Sequence, residues 1–354
     1  MRETILIALL FVSSTVPALA WGATGHKIVN AVAESSLPAL MPEFLRTPAA
    51  VAEIMALGPE PDRSKGAGNP HDADADPGHY VNADDTFSVA GVVKMNALPK
   101  DREAYDAVLE SAHSDEYHYG YLPYSIMDGW QQIRKDFAYW RVDNYLAQRS
   151  TSPHDRRWFA NDRALREVLT LRDIGVWGHY VGDASQPLHL TIHYNGWGNY
   201  PNPKNYSMSD HLHSNFEGAY VRKFARLSAV ATIVRGAATK LPYADGQAVQ
   251  TQVALSQTQE NAVFAQIAEY MIGGLREVVP LYALEKRDAF SAAGSAAGTD
   301  FAEQQLARGA MEMRDLIVFA WDSSLTQNVG YPLISVRDVL SGKRLPVPNA
   351  FATD

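Results

Sequence analysis

His179 and Asp183 stand four residues apart in HYVGDASQPLH, and His213 and Glu217 repeat that spacing in HSNFE. Side chains at i and i+4 share one face of a helix, so each pair can present an imidazole nitrogen and a carboxylate oxygen to one ion. His189 follows Asp183, just beyond the helix-breaking Pro187. Hydrolytic metal sites use this mix: neutral imidazoles hold the metal, carboxylates offset its charge, and open positions admit water and substrate. One such pair alone more often marks a solvated helix face or a modest ion pair. Two pairs around a third histidine, beside the aromatic stretch HYNGWGNYPNPKNYSMSD, carry more weight. The chain has no cysteine, which excludes a thiolate zinc site and leaves nitrogen and oxygen as the only ligand atoms.

The segments that must position these groups read mostly as helix. Residues 25 to 36 place Ile28, Val29, Val32 and Ala33 on an apolar face behind His26, and Pro38 ends or restarts that helix. Residues 38 to 57 suggest short helices. Gly58 to Gly78 is dense in Gly, Pro and Asp without periodicity, so it reads as a long loop. Helices are expected over 101–114, about 124–149 and 155–182, and then after the aperiodic stretch 193–210, where Ser209 or Asp210 could cap the next one. Further helices are expected over 245–280 and 299–325, with Ala292 to Gly298 as a flexible surface connection. Alternating β-type runs are nearly absent and no linker divides the chain. The expectation is an all-α fold, a single multi-helix domain over residues 21–354.

Residues 1–20 read as a signal peptide: Arg2 precedes an apolar run from Ile5 to Val12, and Ala18-Leu19-Ala20 forms a small-x-small cleavage site. Ser13, Ser14 and Pro17 break the run short of a membrane span, so no stable membrane insertion is expected. The mature chain would start at Trp21 and be secreted or periplasmic. The formal charge of −9 gives no basic patch of the kind that marks nucleic-acid binding, although bound cations could supply a positive field.

HYVGDASQPLH resembles the shared His-x-x-x-Asp, Gln-Pro-aliphatic-His signature of the zinc-dependent phospholipases C and single-strand-specific zinc nucleases, and HLHSNFE resembles their later His-Ser-x-x-acid element. The Trp-Gly opening at residue 21 is similar to the mature N-terminus of that superfamily, whose first residue binds zinc through its α-amine and carbonyl. A free α-amine, with a pKa near 7.7 to 8.0, gives up its proton to a metal at modest cost. The resemblance implies three Zn2+ ions per chain. Trp21, His26 and Asp183 would hold one; Asp62, His79, His179 and Asp183 the second; His189, His213 and Glu217 the third. Asp72, Asp74 and Asp76 are alternatives to Asp62, and His71 to His79. Asp183 would bridge two ions and serve catalysis, and Asp62 would act more as a ligand than as a base. The interval from His79 to His179 is longer than in the superfamily.

The implied activity is hydrolysis of phosphate ester bonds, with zinc-bound hydroxide attacking phosphorus. The substrate is left between a phospholipid and single-stranded DNA or RNA: Trp-Gly-x-x-Gly-His and the His189–His213 spacing look more like the nucleases, whereas Glu217, YLPYSI and FAWDSS look more like the phospholipases. Tyr194, Trp197 and Tyr200 are candidate rim residues that could stack on bases or cage a choline cation. No protein partner is implied, and a monomer is expected. The rival reading is a non-catalytic exported protein that uses zinc structurally in place of disulfides. His71, His113, His118, His154, His193 and His211 read as surface residues or supports, with His193 and His211 near enough in sequence to orient ligands.

Overall fold

The apolar face expected behind His26 belongs to α1 (Gly22–Ser35), yet α1 is buried on nearly every side rather than one. The reason is its central place in the computed structural model, which describes residues 21–239 and 252–351. Around it pack α2 (Pro48–Leu57) and five elements from later in the chain. The expected export segment 1–20 and the first residues of the helix expected from 245 lie outside the described residues.

The stretch expected as a loop from Gly58 to Gly78 instead winds into short turns: α3 (Glu60–Arg63), α4 (His71–Ala75) and a 3-10 turn at Asp76–His79. Each is one turn long, too short to show a 3.6-residue period, and prolines occupy the early positions of α3 and the 3-10 turn. After a two-residue hairpin, β1 (Ser88–Val89) with β2 (Val93–Lys94), come α5 (Arg102–Ser111) and α6 (Glu116–Tyr119). Two long helices, α7 (Leu122–Arg149) and α8 (Pro153–Asp183), pack as an antiparallel pair joined by a short turn. Burial along α8 is concentrated from Thr170 to Asp183, the end that meets α1 and α2. Gly178 permits that approach, because a Cβ there would lie 2.3 Å from the Asn30 side chain of α1.

A 3-10 turn at Pro187–His189 follows α8. The next helix starts later than expected, as α9 (Leu212–Ser214), and lacks a side-chain cap: Ser209 Oγ accepts the His211 amide instead. It runs through a π-helical turn (Asn215–Tyr220) into α10 (Val221–Phe224). Then come α11 (Leu227–Arg235), α12 (Gln252–Leu275), α13 (Val278–Glu285) and α14 (Ala296–Ser323). The expected flexible connection 292–298 is partly helix, since Ser295 caps α14 by accepting the Gly298 amide. The chain closes with the hairpin β3 (Asn328–Val329) and β4 (Ile334–Ser335), and α15 (Val336–Leu340).

The architecture is all-α, as expected. One large core joins α1, α7, α8, α12 and α14, and a smaller one packs Val142, Leu146 and Phe159 of the α7–α8 pair against the last hairpin and α15. Among the described residues no helix is long and apolar enough to cross a membrane.

Candidate metal centre

Six separate segments deliver buried ligand-type side chains to the end of α8. His179 and Asp183 come from α8 itself, His26 from α1, Asp62 from α3, His79 and His189 from the two 3-10 turns, and His213 and Glu217 from α9 and the π turn. They form three groups: His26, His179 and Asp183; Asp62, His79 and His179; His189, His213 and Glu217. Within each group one donor atom per residue lies within 4.8 Å of the others. Three buried sites able to hold a metal ion therefore sit beside one another.

Asp183 is the hub. Its Oδ1 is 3.5 Å from His26 Nε2, and its Oδ2 is 3.1 Å from His79 Nδ1 and 3.4 Å from His179 Nε2. His79 Nδ1 and His179 Nε2 are only 2.9 Å apart, and the His26 ring stacks on His179 at 3.8 Å. In the third group His213 Nε2 and His189 Nε2 approach one Glu217 oxygen at 2.7 and 3.5 Å. Gln186 donates to that carboxylate at 3.1 Å while its own carbonyl oxygen accepts the Leu188 amide.

Backbone carbonyls fix the imidazoles. His179 Nδ1–H donates to Gly58 O at 2.8 Å, and His189 Nδ1–H to His79 O at 2.7 Å. In both rings this leaves Nε2 as a lone-pair donor aimed into the cluster, the second-partner arrangement usual for metal-ligating histidine.

The electrostatics suit a bound cation. Burial, reinforced by His179, pushes His26 well below its ordinary range; burial does the same to His79 and His179 and lowers His189. Burial thus favours the neutral form of these rings, the form that can ligate a cation. Burial and then Asp62 push Asp183 well above the carboxylate range, so the protein alone disfavours its charge. Burial also acts to raise Glu217, but His213 and His189 outweigh it and hold the group at about 2. Both His26 nitrogens, Asp183 Oδ1, His213 Nδ1 and Glu217 Oε1 are buried without a hydrogen-bond partner among the described residues. Buried polar atoms are almost always paired. Cations on these sites would satisfy several orphans at once. Lys65 already plays that part for Asp62, bonding it at 2.6 Å.

The alternatives for two positions fall away. Asp72 accepts from Gly66 and Gly68 and pairs with His71, which is half exposed; neither joins the centre, nor do Asp74 and Asp76. Trp21 is fully buried with its ring 5.5 Å from Phe216. Of the rim candidates Tyr194 and Tyr200 are about half exposed, but Trp197 is not a rim residue. It is 5% exposed, stacks on His193 at 3.9 Å and donates to Pro201 O, pinning the aromatic loop to the core. His193 bonds Trp197 O and Asp85 rather than a cluster residue, and His211 is exposed beside Asp210, so neither orients a ligand. Sequence reasoning missed Gln186 and the Gly58 and His79 carbonyls. Gln186 lay inside the quoted motif, whereas a carbonyl leaves no residue-type signal.

No protein-family model matches the chain, and no curated protein matches it.

Proposed function

We propose that the protein is an exported zinc-dependent hydrolase of phosphate esters, of the phospholipase C and zinc nuclease type, holding three zinc ions. The observation that carries this reading is the convergence of neutral imidazoles on Asp183 and Glu217, with buried donor atoms left unpaired. Zinc in such a site supplies Lewis acidity toward a phosphoryl oxygen and lowers the pKa of water toward 7.

The chain's own residues prepare that chemistry. Asp183 places one oxygen toward His26 and the other toward His79 and His179, so one carboxylate serves two adjacent sites. Asp62 completes the His79–His179 group. Gln186 and the two carbonyl-bound imidazoles keep the donors in place before any substrate arrives. Trp21 would add its α-amine once the chain is cut after Ala20. Tyr194 and Tyr200 offer exposed rings to a base or a choline headgroup.

The test is metal analysis of the purified protein, followed by parallel assays on single-stranded nucleic acid and phosphatidylcholine, each with and without chelator. About three zinc ions per chain and one chelator-sensitive cleavage are expected. One zinc or none would sink the trinuclear centre. Zinc retained with neither substrate cleaved would favour the structural role.

A further inference from the structure

Asp183, the hub of the centre, is the last residue of α8. A helix end is normally the loosest part of a helix: its final carbonyls lack intrahelical partners and its last turn frays. A carboxylate there cannot hold a fixed direction unless something outside the helix holds the turn.

Here every carbonyl from Tyr180 to Ala184 has a partner. Tyr180 O and Asp183 O accept the Ala184 and Gln186 amides. Gly182 O accepts the Ser185 amide and hydroxyl at 2.9 and 2.7 Å, and it, Val181 O and Ala184 O are each met by a side chain from a distant segment. Tyr270 Oη–H of α12 donates to Val181 O at 2.8 Å. Trp21 Nε1–H reaches Gly182 O at 2.9 Å and Ser185 Oγ at 2.7 Å. Arg308 of α14 donates to Ala184 O at 3.0 Å through Nη2 and to Tyr270 O at 2.7 Å through Nη1, linking two members of the set. Its positive charge also lies at the negative end of the α8 dipole. Space for it is kept by Gly274, where a Cβ would sit 2.5 Å from Nη2.

We infer that Trp21, Tyr270 and Arg308 are positioning residues that fix the terminal turn of α8, and through it the Asp183 carboxylate. The inference rests on the metal-centre reading above and assigns a task to three side chains that are not themselves ligands. It also accounts for a tryptophan at position 21. Any residue has an α-amine, but few side chains place a rigid N–H donor in an apolar core. The indole reaches the backbone of the hub from the same residue proposed to contribute an amine to it.

The experiment compares Trp21→Phe and Tyr270→Phe with wild type and with a control, Trp130→Phe. Each of the first two keeps an aromatic ring and deletes one donor. Trp130 is equally buried and its indole donates to Leu316 O at 3.1 Å, the same kind of bond in the core between α7 and α14. Zinc affinity is read by chelator competition, and site geometry by the visible spectrum of the cobalt-substituted protein. The two test variants should bind zinc about tenfold or more weakly, with altered cobalt bands, as is usual when partners behind metal ligands are lost. Trp130→Phe should lose thermal stability but keep both readouts. Wild-type affinity and spectrum in Trp21→Phe and Tyr270→Phe would overturn the positioning role alone, as would equal weakening in Trp130→Phe. A wild-type protein that binds no zinc would overturn the metal centre itself.

Discussion

Two buried polar regions share α8 and resolve the cost of burial in opposite ways. At its C-terminal end neutral imidazoles surround Asp183, and several donor atoms have no partner among the described residues. Toward its middle, carboxyl groups of α7 face carboxyl groups of α8. Asp143 lies beside Asp162, and Asp136 beside Asp173 while its Oδ1 accepts from Gln132 and Arg166 at 3.2 and 3.0 Å; both Asp143 oxygens and Asp136 Oδ2 are likewise buried without a hydrogen-bond partner among the described residues. Burial, with Asp162 beside it, pushes Asp143 up to about 9; burial and then Asp173 raise Asp136 to about 6. A pair of carboxyls can share a proton and so carry one charge in place of two. A ring of imidazole lone pairs cannot, because each added proton brings a buried positive charge. Protons complete the carboxyl region, whereas the imidazole region suits metal cations.

The hub gives the largest effect. Asp183→Asn should remove negative charge from two adjacent sites and lower zinc content by about two ions per chain, more than replacement of a histidine that belongs to one group alone, such as His213. Metal analysis of Asp183→Asn beside His213→Ala checks this, and equal losses would mean Asp183 is not shared. Asp143→Asn should leave zinc content unchanged, which separates the two regions directly.

The start of the chain gives the next effect. Adding a methionine before Trp21 converts the proposed α-amine ligand into a peptide nitrogen, so zinc content should fall by about one ion. A Met-Trp form with full zinc and activity would show that the centre needs only the indole.

Much of this centre was legible because helical spacing fixes direction: His179 with Asp183 and His213 with Glu217 could be paired from the i, i+4 rule alone. The all-α architecture was legible for the same reason in α7, α8 and α14, whose length makes periodicity visible. Bringing the pairs together with His26, Asp62 and His79 needed the resemblance, because no spacing rule connects residues a hundred positions apart. Trp197 was misplaced for an opposite reason. An indole can stack on a ligand or pack a core equally well, and only the fold puts His193 beneath it. The carboxyl pairs of α7 and α8 gave no signal at all, since acidic residues at helical spacing ordinarily lie on a solvated face.

The carboxyl region predicts a pH dependence. Between about pH 4 and 9 the folded protein keeps the Asp143 proton that the unfolded chain releases, so the folded state binds more protons and stability falls as pH rises. The slope is about 1.4 kcal/mol per pH unit for one such group. Asp143→Asn should remove this component: its melting temperature should match wild type near pH 4 and exceed it increasingly toward pH 8. Glu34, which burial raises to about 8, and Asp136 would keep their own slopes in the variant. A constant offset at all pH values would place the titration elsewhere.

The smallest effect tests whether burial, rather than the mere pairing of histidine with aspartate, separates these regions from the rest of the molecule. His118 Nδ1 lies 2.8 Å from Asp115 Oδ1 at the same i, i+3 reach that a ligand pair could use, yet both side chains are more than half exposed. Water satisfies either group when the other is removed, and an exposed pair spends side-chain entropy for little Coulomb gain. His118→Ala should therefore leave zinc content, cobalt spectrum and melting temperature close to wild-type values. A loss of zinc in this variant would mean that α6, the helix bonded to Asn82 and Tyr80 just after His79, supports the centre through its histidine as well as its backbone.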